Sequence, residues 1–353
     1  MRTGYYKLLK ISNGQGTAST ANFELRDNIE TYVMNILTKT ANANVERKYE
    51  FNPDLRTTRG RINELLTKGE DERNTTILEM GNHLARIEKN FNDTNQHLKG
   101  KIPDGMLLVA YVDMQTDEGE YKIVILKSDY DVFIADVTGQ QSTGLSVRNQ
   151  IFKTCQFNVR RNEQEYEIWQ ISASDSTNRQ AAYWLKDFLE LKPIRQDKEN
   201  TEKAYEQIKK KILNPIMKDH KPDYLILYNS TIAYMRQDGM FNLDYYKDEI
   251  IGKYKPFDRS LDIEALKNKV DGLRNSDKFD AQFRKEPSAI TDKVKAVIKL
   301  TDEIDLKIKH NIPSLESQIL PYKKGNSKGI TIISKEGYEY AQGLGKRTDN
   351  DAV

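Results

Sequence analysis

Apolar positions along the chain follow two periods, and each predicts a different kind of element. Three short apolar runs (Met106 to Val112, Tyr121 to Leu126, Val132 to Ile134) are separated by polar residues, including the turn Gln115 to Gly119. Short apolar runs bounded by Asp and Gly predict adjacent strands joined by hairpins, so residues 103–136 are expected to form the centre of a sheet. Residues 5–11 read as an opening strand. Ile151 to Val159 and Tyr166 to Ile171 read as two later strands, with an alternation too irregular to settle their register. Elsewhere the spacing is three and four. Leu25, Ile29, Val33, Ile36 and Leu37 predict a helix over Phe23 to Thr40, and Ile62, Leu65 and Leu66 a short one. Ile77, Met80, Leu84, Ile87 and Phe91 form one stripe, with His83 beside it as a surface or half-buried residue. A helix from Asn178 to Leu191 would bury Ala181, Trp184, Leu185 and Phe188 as core.

From Pro193 to Lys203 the chain turns charged and poor in apolar residues, which marks a boundary between domains 1–192 and 193–353. A helix then runs to Leu213, where Lys209, Lys210 and Lys211 complement its dipole. Tyr224 to Tyr234 is apolar enough for buried structure, and Phe241 to Tyr254 is acidic and tyrosine-rich. Leu261 to Leu273 and Ala289 to Leu300 read as helices, and Gly329 to Ser334 as part of a hairpin with Gly337 in its turn. The stretches around 40–60 and 235–260 have no clear form. The expected fold is α+β: a mostly antiparallel sheet flanked by helices, followed by a more helical second domain.

Composition narrows the class. At 353 residues two domains are the default. Charged residues at 31% against 37% hydrophobic describe a polar globular protein rather than a disordered one. No apolar run approaches the roughly 20 residues a membrane span needs, and the N-terminal residues do not read as a secretion signal. One cysteine, Cys155, rules out an internal disulfide and fits a reducing cytoplasm. With four histidines scattered, a structural zinc site is not expected.

Net charge is only +2, so any nucleic-acid signal must be local. Ser146 to Arg161 contains Arg148, Lys153, Arg160 and Arg161 without an acidic residue, and Tyr322 to Arg347 is lysine-rich, with Lys323, Lys324 and Lys328 at its start. Clustered cations can neutralise phosphates even on a near-neutral protein.

The central strands also admit an enzymatic reading. Pro103-Asp104, followed by Glu120-Tyr121-Lys122, has the spacing of the PD-(D/E)xK nucleases. There, two carboxylates hold Mg²⁺ and a lysine two residues along the same strand face helps activate water. Asp104, Glu120 and Lys122 would take those roles, with Asp113 a second acid and Asp104 and Glu120 the metal ligands. Convergence of the three side chains is the requirement. The pattern is short and degenerate in so charged a chain. Phosphate-loop, GxSxG and HExxH signatures are absent, and Cys155 reads as a small buried residue rather than a nucleophile.

The order of elements resembles the bacterial nucleoid-associated protein family (NdpA/YejK-like). The resemblance rests on FELRDNIETYVMNIL after a first strand, TTILEMGNHLARIEKNF before the sheet, PDGMLLVAYVDMQTDEGEYKIVILK, and KGITIISKEGYEY near the end. It implies a cytoplasmic, nucleoid-localised, DNA-associated homodimer with no catalytic residues or cofactor to carry over. The leading expectation is a DNA binder with little sequence specificity, contacting phosphates through Arg148, Lys153, Arg160, Arg161, Lys323, Lys324 and Lys328. An asparagine- and lysine-rich relative acting in phage defence or on a mobile element is a further expectation. The alternatives are the Mg²⁺-dependent nuclease and an interaction subunit that docks a protein partner through Asp238 to Tyr254.

Overall fold

A computed structural model describes residues 2–22, 26–41, 43–44, 46–95, 101–116, 119–134, 141–144, 152–162, 165–175, 181–274, 277–291, 296–308, 312 and 314–348. The chain forms two compact units, Met1–Gln196 with Asp280–Phe283, and Asp197–Phe279 with Arg284–Val353.

The first unit is built on β1 (Arg2–Ser12), β2 (Thr17–Thr20), α1 (Arg26–Ala41), β3 (Arg47–Phe51), α2 (Thr57–Thr67), α3 (Glu70–Thr94), β4 (Gly105–Asp113), β5 (Glu120–Asp129), β6 (Asp131–Ile134), β7 (Gln141–Gly144), β8 (Phe152–Arg161), β9 (Tyr166–Asp175) and β10 (Leu191–Pro193). Eight strands make one sheet in the order β10-β3-β9-β8-β5-β4-β1-β2, and every neighbouring pair is antiparallel. The α+β expectation holds, with β4 and β5 near the middle as their apolar runs required.

Those runs do not alternate because both faces of β4 and β5 are covered. One face, carrying Leu107, Val109, Ile123, Ile125, Cys155 and Phe157, packs against α2, α3 and a π-helical turn at Tyr183–Phe188. The other, carrying Met106, Leu108, Ala110, Val124 and Leu126, packs against Val33, Ile36 and Leu37 of α1. Strands buried on both faces read as continuous apolar segments. On β8 and β9 the α1-side face is instead polar. Thr154 and Ser174 share a 2.8 Å hydrogen bond, and Asn158 donates to Gln170 at 2.7 Å.

α3 approaches β1 and β2 closely at Gly81. A Cβ there would lie 2.5 Å from Leu9 Cδ1 and 2.8 Å from the Ala18 Cβ. The helix opens with Glu70, Asp71 and Glu72 in its first turn, the end where negative charge complements the helix dipole.

The second unit contains α4 (Asp197–Ile208), α5 (Lys221–Arg236), β11 (Met240–Asn242), α6 (Leu243–Tyr245) running into a π turn (Tyr246–Ile251), and α7 (Ile263–Arg274). After β12 (Gln282–Arg284) come the paired strands β13 (Ala296–Lys299) and β14 (Asp305–Ile308), α8 (Leu315–Gln318), the paired β15 (Ile319–Lys324) and β16 (Ser327–Ile332), and α9 (Lys335–Thr348). Tyr205, Leu227, Tyr228, Tyr246 and Val270 are buried. Their hydroxyls are satisfied internally: Tyr205 meets Tyr228 at 3.1 Å, and Thr231 meets Tyr246 at 2.8 Å. Buried Asp223 accepts from the Tyr254 hydroxyl and the Phe257 amide, each at 2.7 Å.

Several expectations need correction. β6 pairs with β7 and stands outside the large sheet. The stretch around 40–60 is not an unformed insertion: it supplies β3 and α2. The helix expected over Asn178 to Leu191 is described only as the π-helical turn, with Trp184 and Phe188 buried as anticipated. Ala289 to Leu300 is not a helix; a 3-10 turn at Pro287–Ile290 is followed by β13, whose β-branched Val297 and Ile298 favour a strand. The last hairpin turns at Gly325, whose φ of +58° suits glycine, and Gly337 lies inside α9. Among the described residues no helix is long and apolar enough to cross a membrane.

Candidate nucleic-acid interface

β8 ends in consecutive arginines, and strand geometry sends them to opposite faces. Arg160 lies opposite Glu120 in the β5–β8 register. Its Nη2 and Nε donate to Glu120 Oε1 at 3.1 and 3.2 Å, and its guanidinium sits 4.9 Å from the centre of the Trp169 ring. Trp169 occupies the bulge where the β8–β9 register shifts and is 43% exposed. A planar cation between a carboxylate and an indole is held rather than freely mobile.

Arg161 is exposed on the other face, 5.6 Å from the ring centre of Tyr166. Tyr166 meets Tyr121 edge-on at 6.4 Å, and Tyr121 stacks on Tyr111 at 5.1 Å. Arg73 covers the far end, 5.7 Å from the Tyr111 ring. Three half-buried tyrosines across β4, β5 and β9 thus lie between two arginines. The burial of Tyr111 raises its pKa, and the neighbouring Tyr166 and Tyr121 raise it further, so its hydroxyl stays protonated near neutrality. Sequence reading missed this row, because Tyr111 and Tyr166 are 55 positions apart and only the strand register aligns them. Tyr111, Tyr121 and Tyr166 each lie within two residues of a strand end, the one local signal available.

The other expected contacts fare differently. Arg148 lies outside the described residues. Lys153 is buried, 3.8 Å from Asp129, and turns inward beside Lys127. It presents no open face to a phosphate and is dropped from the interface. Lys323, Lys324 and Lys328 surround the β15–β16 turn and are all exposed, with Lys323 directly opposite Lys328.

The nuclease constellation does not assemble. Asp104 aligns with Tyr130, whose amide donates to its carbonyl, while Glu120 opens β5 at the opposite end. Ten residues of strand at about 3.3 Å each separate them by roughly 30 Å, too far to share a metal. The Asp104 carboxylate accepts the Asn13 amide at 2.7 Å, and Glu120 holds Arg160. Asp113, the second acid, pairs with Tyr121 and so falls on the face away from Glu120 and Lys122. Lys122 points to the C-terminus of α1, where its Nζ donates to the Ala41 carbonyl at 2.5 Å. Burial lowers its pKa, and Glu120 partly offsets that. Gln156 donates to the neighbouring Thr40 carbonyl at 2.8 Å. Lysine and glutamine together satisfy helix-end carbonyls that have no intrahelical partner. Among the described residues no group of three or more His, Cys, Asp or Glu is placed to hold a metal ion.

His83 is half-buried, as expected. Arg61 donates to its Nδ1 at 3.0 Å, and burial followed by the charges of Arg61 and Arg86 lowers its pKa, which keeps the ring neutral. Within Asp238 to Tyr254, Phe241, Leu243, Tyr246 and Ile251 are buried, while Asp238, Tyr245, Asp248 and Lys253 are exposed.

A family model described as nucleoid-associated protein YejK matches residues 9–221, which include every strand of the large sheet but the first seven residues of β1. No curated protein matches the chain.

Proposed function

Since the chain belongs to the nucleoid-associated protein YejK family, we propose that it binds DNA with little sequence specificity, holding phosphates through exposed arginine and lysine side chains. Family membership over 9–221 carries this reading. Two exposed basic groups support it: Arg160 and Arg161 at the end of β8, and Lys323, Lys324 and Lys328 around the β15–β16 turn. The first sits among aromatic rings, an arrangement that tolerates any base sequence. Neither contains a helix poised to read base edges, so phosphate contact dominates. The reading places the protein at the nucleoid of a bacterial cytoplasm and, by family resemblance, as a homodimer. A phage-defence or mobile-element setting and a separate protein partner draw no support from its residues. Neither does the Mg²⁺-dependent nuclease, since its acids stand roughly 30 Å apart along the hairpin.

Retardation of supercoiled plasmid over a salt series tests the proposal. Binding that weakens steeply and linearly on a log–log plot is the expected result. Affinity that ignores salt, or no binding at low salt, would overturn it. Metal-dependent nicking lost in Glu120→Ala would restore the nuclease. Sedimentation of the free protein tests the dimer.

A further inference from the structure

The β15–β16 hairpin is exposed along all of its length but the half-buried Ile319, and among the described residues no third strand pairs with it. An isolated two-stranded ribbon is marginal in water, yet this one carries unburied apolar residues on both faces. The register places Ile319 opposite Ile332, Pro321 opposite Ile330, and Lys323 opposite Lys328. Alternation puts all six on the same face, apolar along the stem and cationic at the tip. Ile330 is 43% exposed and Ile332 46%. The other face carries Leu320 and Tyr322, both exposed; the Tyr322 ring lies over Gly329, where an added Cβ would meet it at 3.7 Å, and Lys324 adds a third cation beside the turn.

Like charges placed directly opposite one another destabilise a ribbon unless anions lie beside them. The two lysines leave from different strands, so they diverge toward the two edges. Six residues per strand give roughly 20 Å of reach. A ribbon with diverging cations at its tip and an apolar pair one step behind them offers contacts to both parts of a DNA groove, the two phosphate chains and the stack of bases they flank. Pro and Ile are among the residues that wedge between base steps from the minor groove.

We propose that β15–β16 is an arm that enters the minor groove of duplex DNA, with Lys323, Lys324 and Lys328 on the flanking phosphates and Pro321 with Ile330 wedged between base pairs, so that binding kinks the duplex. This rests on the DNA-binding reading and adds a consequence, bending, that phosphate contact alone does not produce.

The test uses the full chain and a short duplex labelled at both ends for energy transfer, over a salt series. Three proteins are compared: the natural one, Lys323→Ala/Lys324→Ala/Lys328→Ala, and Pro321→Ala/Ile330→Ala. All of these positions are exposed, so the variants should fold, which circular dichroism verifies. The natural protein is expected to bring the duplex ends closer. The lysine variant should bind at least about tenfold more weakly at moderate salt, with its log–log slope reduced by roughly 2.7, about 0.9 per phosphate. The apolar variant should keep the slope and lose the change in energy transfer. An unbent duplex under saturating natural protein overturns the proposal, as does a lysine variant that binds and bends like the natural one. If the apolar variant instead changes only the sedimentation of the free protein, the hairpin belongs to contact between copies and the proposal fails. No binding by any form at low salt refutes the DNA-binding reading itself, whereas salt-dependent binding without bending refutes only the arm.

Discussion

Glu88 and Lys127 face each other inside the first unit with neither side chain reaching solvent, Oε1 lying 3.2 Å from Nζ. Lys127 Nζ also meets Asp129 Oδ1 at 2.5 Å, and Asp129 Oδ2 lies 3.8 Å from Lys153. The helix α3 supplies one partner and the strand β5 the other, so the ion pair ties a covering helix to the sheet. Burial pushes the Glu88 carboxyl up to about 7, against the opposing pull of Lys127. Burial alone would lower the Lys127 pKa, but Glu88 and Asp129 outweigh it and raise the value.

Stability should therefore fall with rising pH through the window set by Glu88. In the unfolded chain its carboxyl ionises near 4.5, in the folded one near 7. Between these values the folded state binds the extra proton, so the slope of stability against pH is negative. The span corresponds to roughly 3 kcal/mol. Glu88→Gln should flatten that segment of the curve in urea melts at a series of pH values. An unchanged slope would show that the proton is held elsewhere.

Truncating the other partner should cost more. Lys127→Met leaves the buried Glu88 and the partly buried Asp129 without their main cation, an expected loss of about 3–5 kcal/mol at pH 7. Glu88→Gln/Lys127→Met should recover a large part of that loss. Additive single effects in the double-mutant cycle would mean that the two do not interact.

Lys122 is expected to behave as a helix-end partner. Lys122→Ala should lower stability by about 1 kcal/mol, the scale of one hydrogen bond, and Gln156→Ala by a similar amount. Since both hold the end of α1, hydrogen exchange in residues 36–41 should quicken in each variant. Protection left unchanged there would refute the assignment.

Gly81→Ala should destabilise although alanine favours helices by about 1 kcal/mol. The new methyl would collide with Leu9 and Ala18, and overpacking of this kind costs about 1–3 kcal/mol. Thermal melting decides the sign; a raised midpoint would mean that β1 and β2 can yield.

Arg160 and Arg161 should contribute unequally to DNA binding. Arg161→Ala is expected to lower the salt slope by about 1, and Arg160→Ala by less, because Glu120 already occupies its guanidinium. Glu120→Ala should then tighten binding modestly. Filter binding of all three over a salt series distinguishes this from equal contributions.

The sequence by itself determined the elements whose burial follows chain-local period. α1 and α3 are legible because a helix face repeats every three to four residues. β4 and β5 are legible because apolar runs bounded by Asp and Gly have few other outcomes. The nucleoid-associated resemblance was carried by those same segments and by KGITIISKEGYEY near the end. What only the tertiary structure decided is everything set by register and by the meeting of distant segments. Glu120 and Lys122 have the spacing of a metal site, but the antiparallel pairing that places Asp104 opposite Tyr130 puts the third member at the far end of the hairpin. Lys153 and Arg161 share one face of β8, yet Lys153 at the start of the strand is buried beside Asp129 while Arg161 at its end stays in solvent. Tyr111, Tyr121 and Tyr166 become one row only when β4, β5, β8 and β9 align. Glu88 and Lys127, ordinary surface residues by composition, become a buried pair because α3 lies across the sheet at that point. Local period reports which side of an element is apolar. Which polar groups end up facing one another depends on strand order and helix docking, and no window along the chain contains that information.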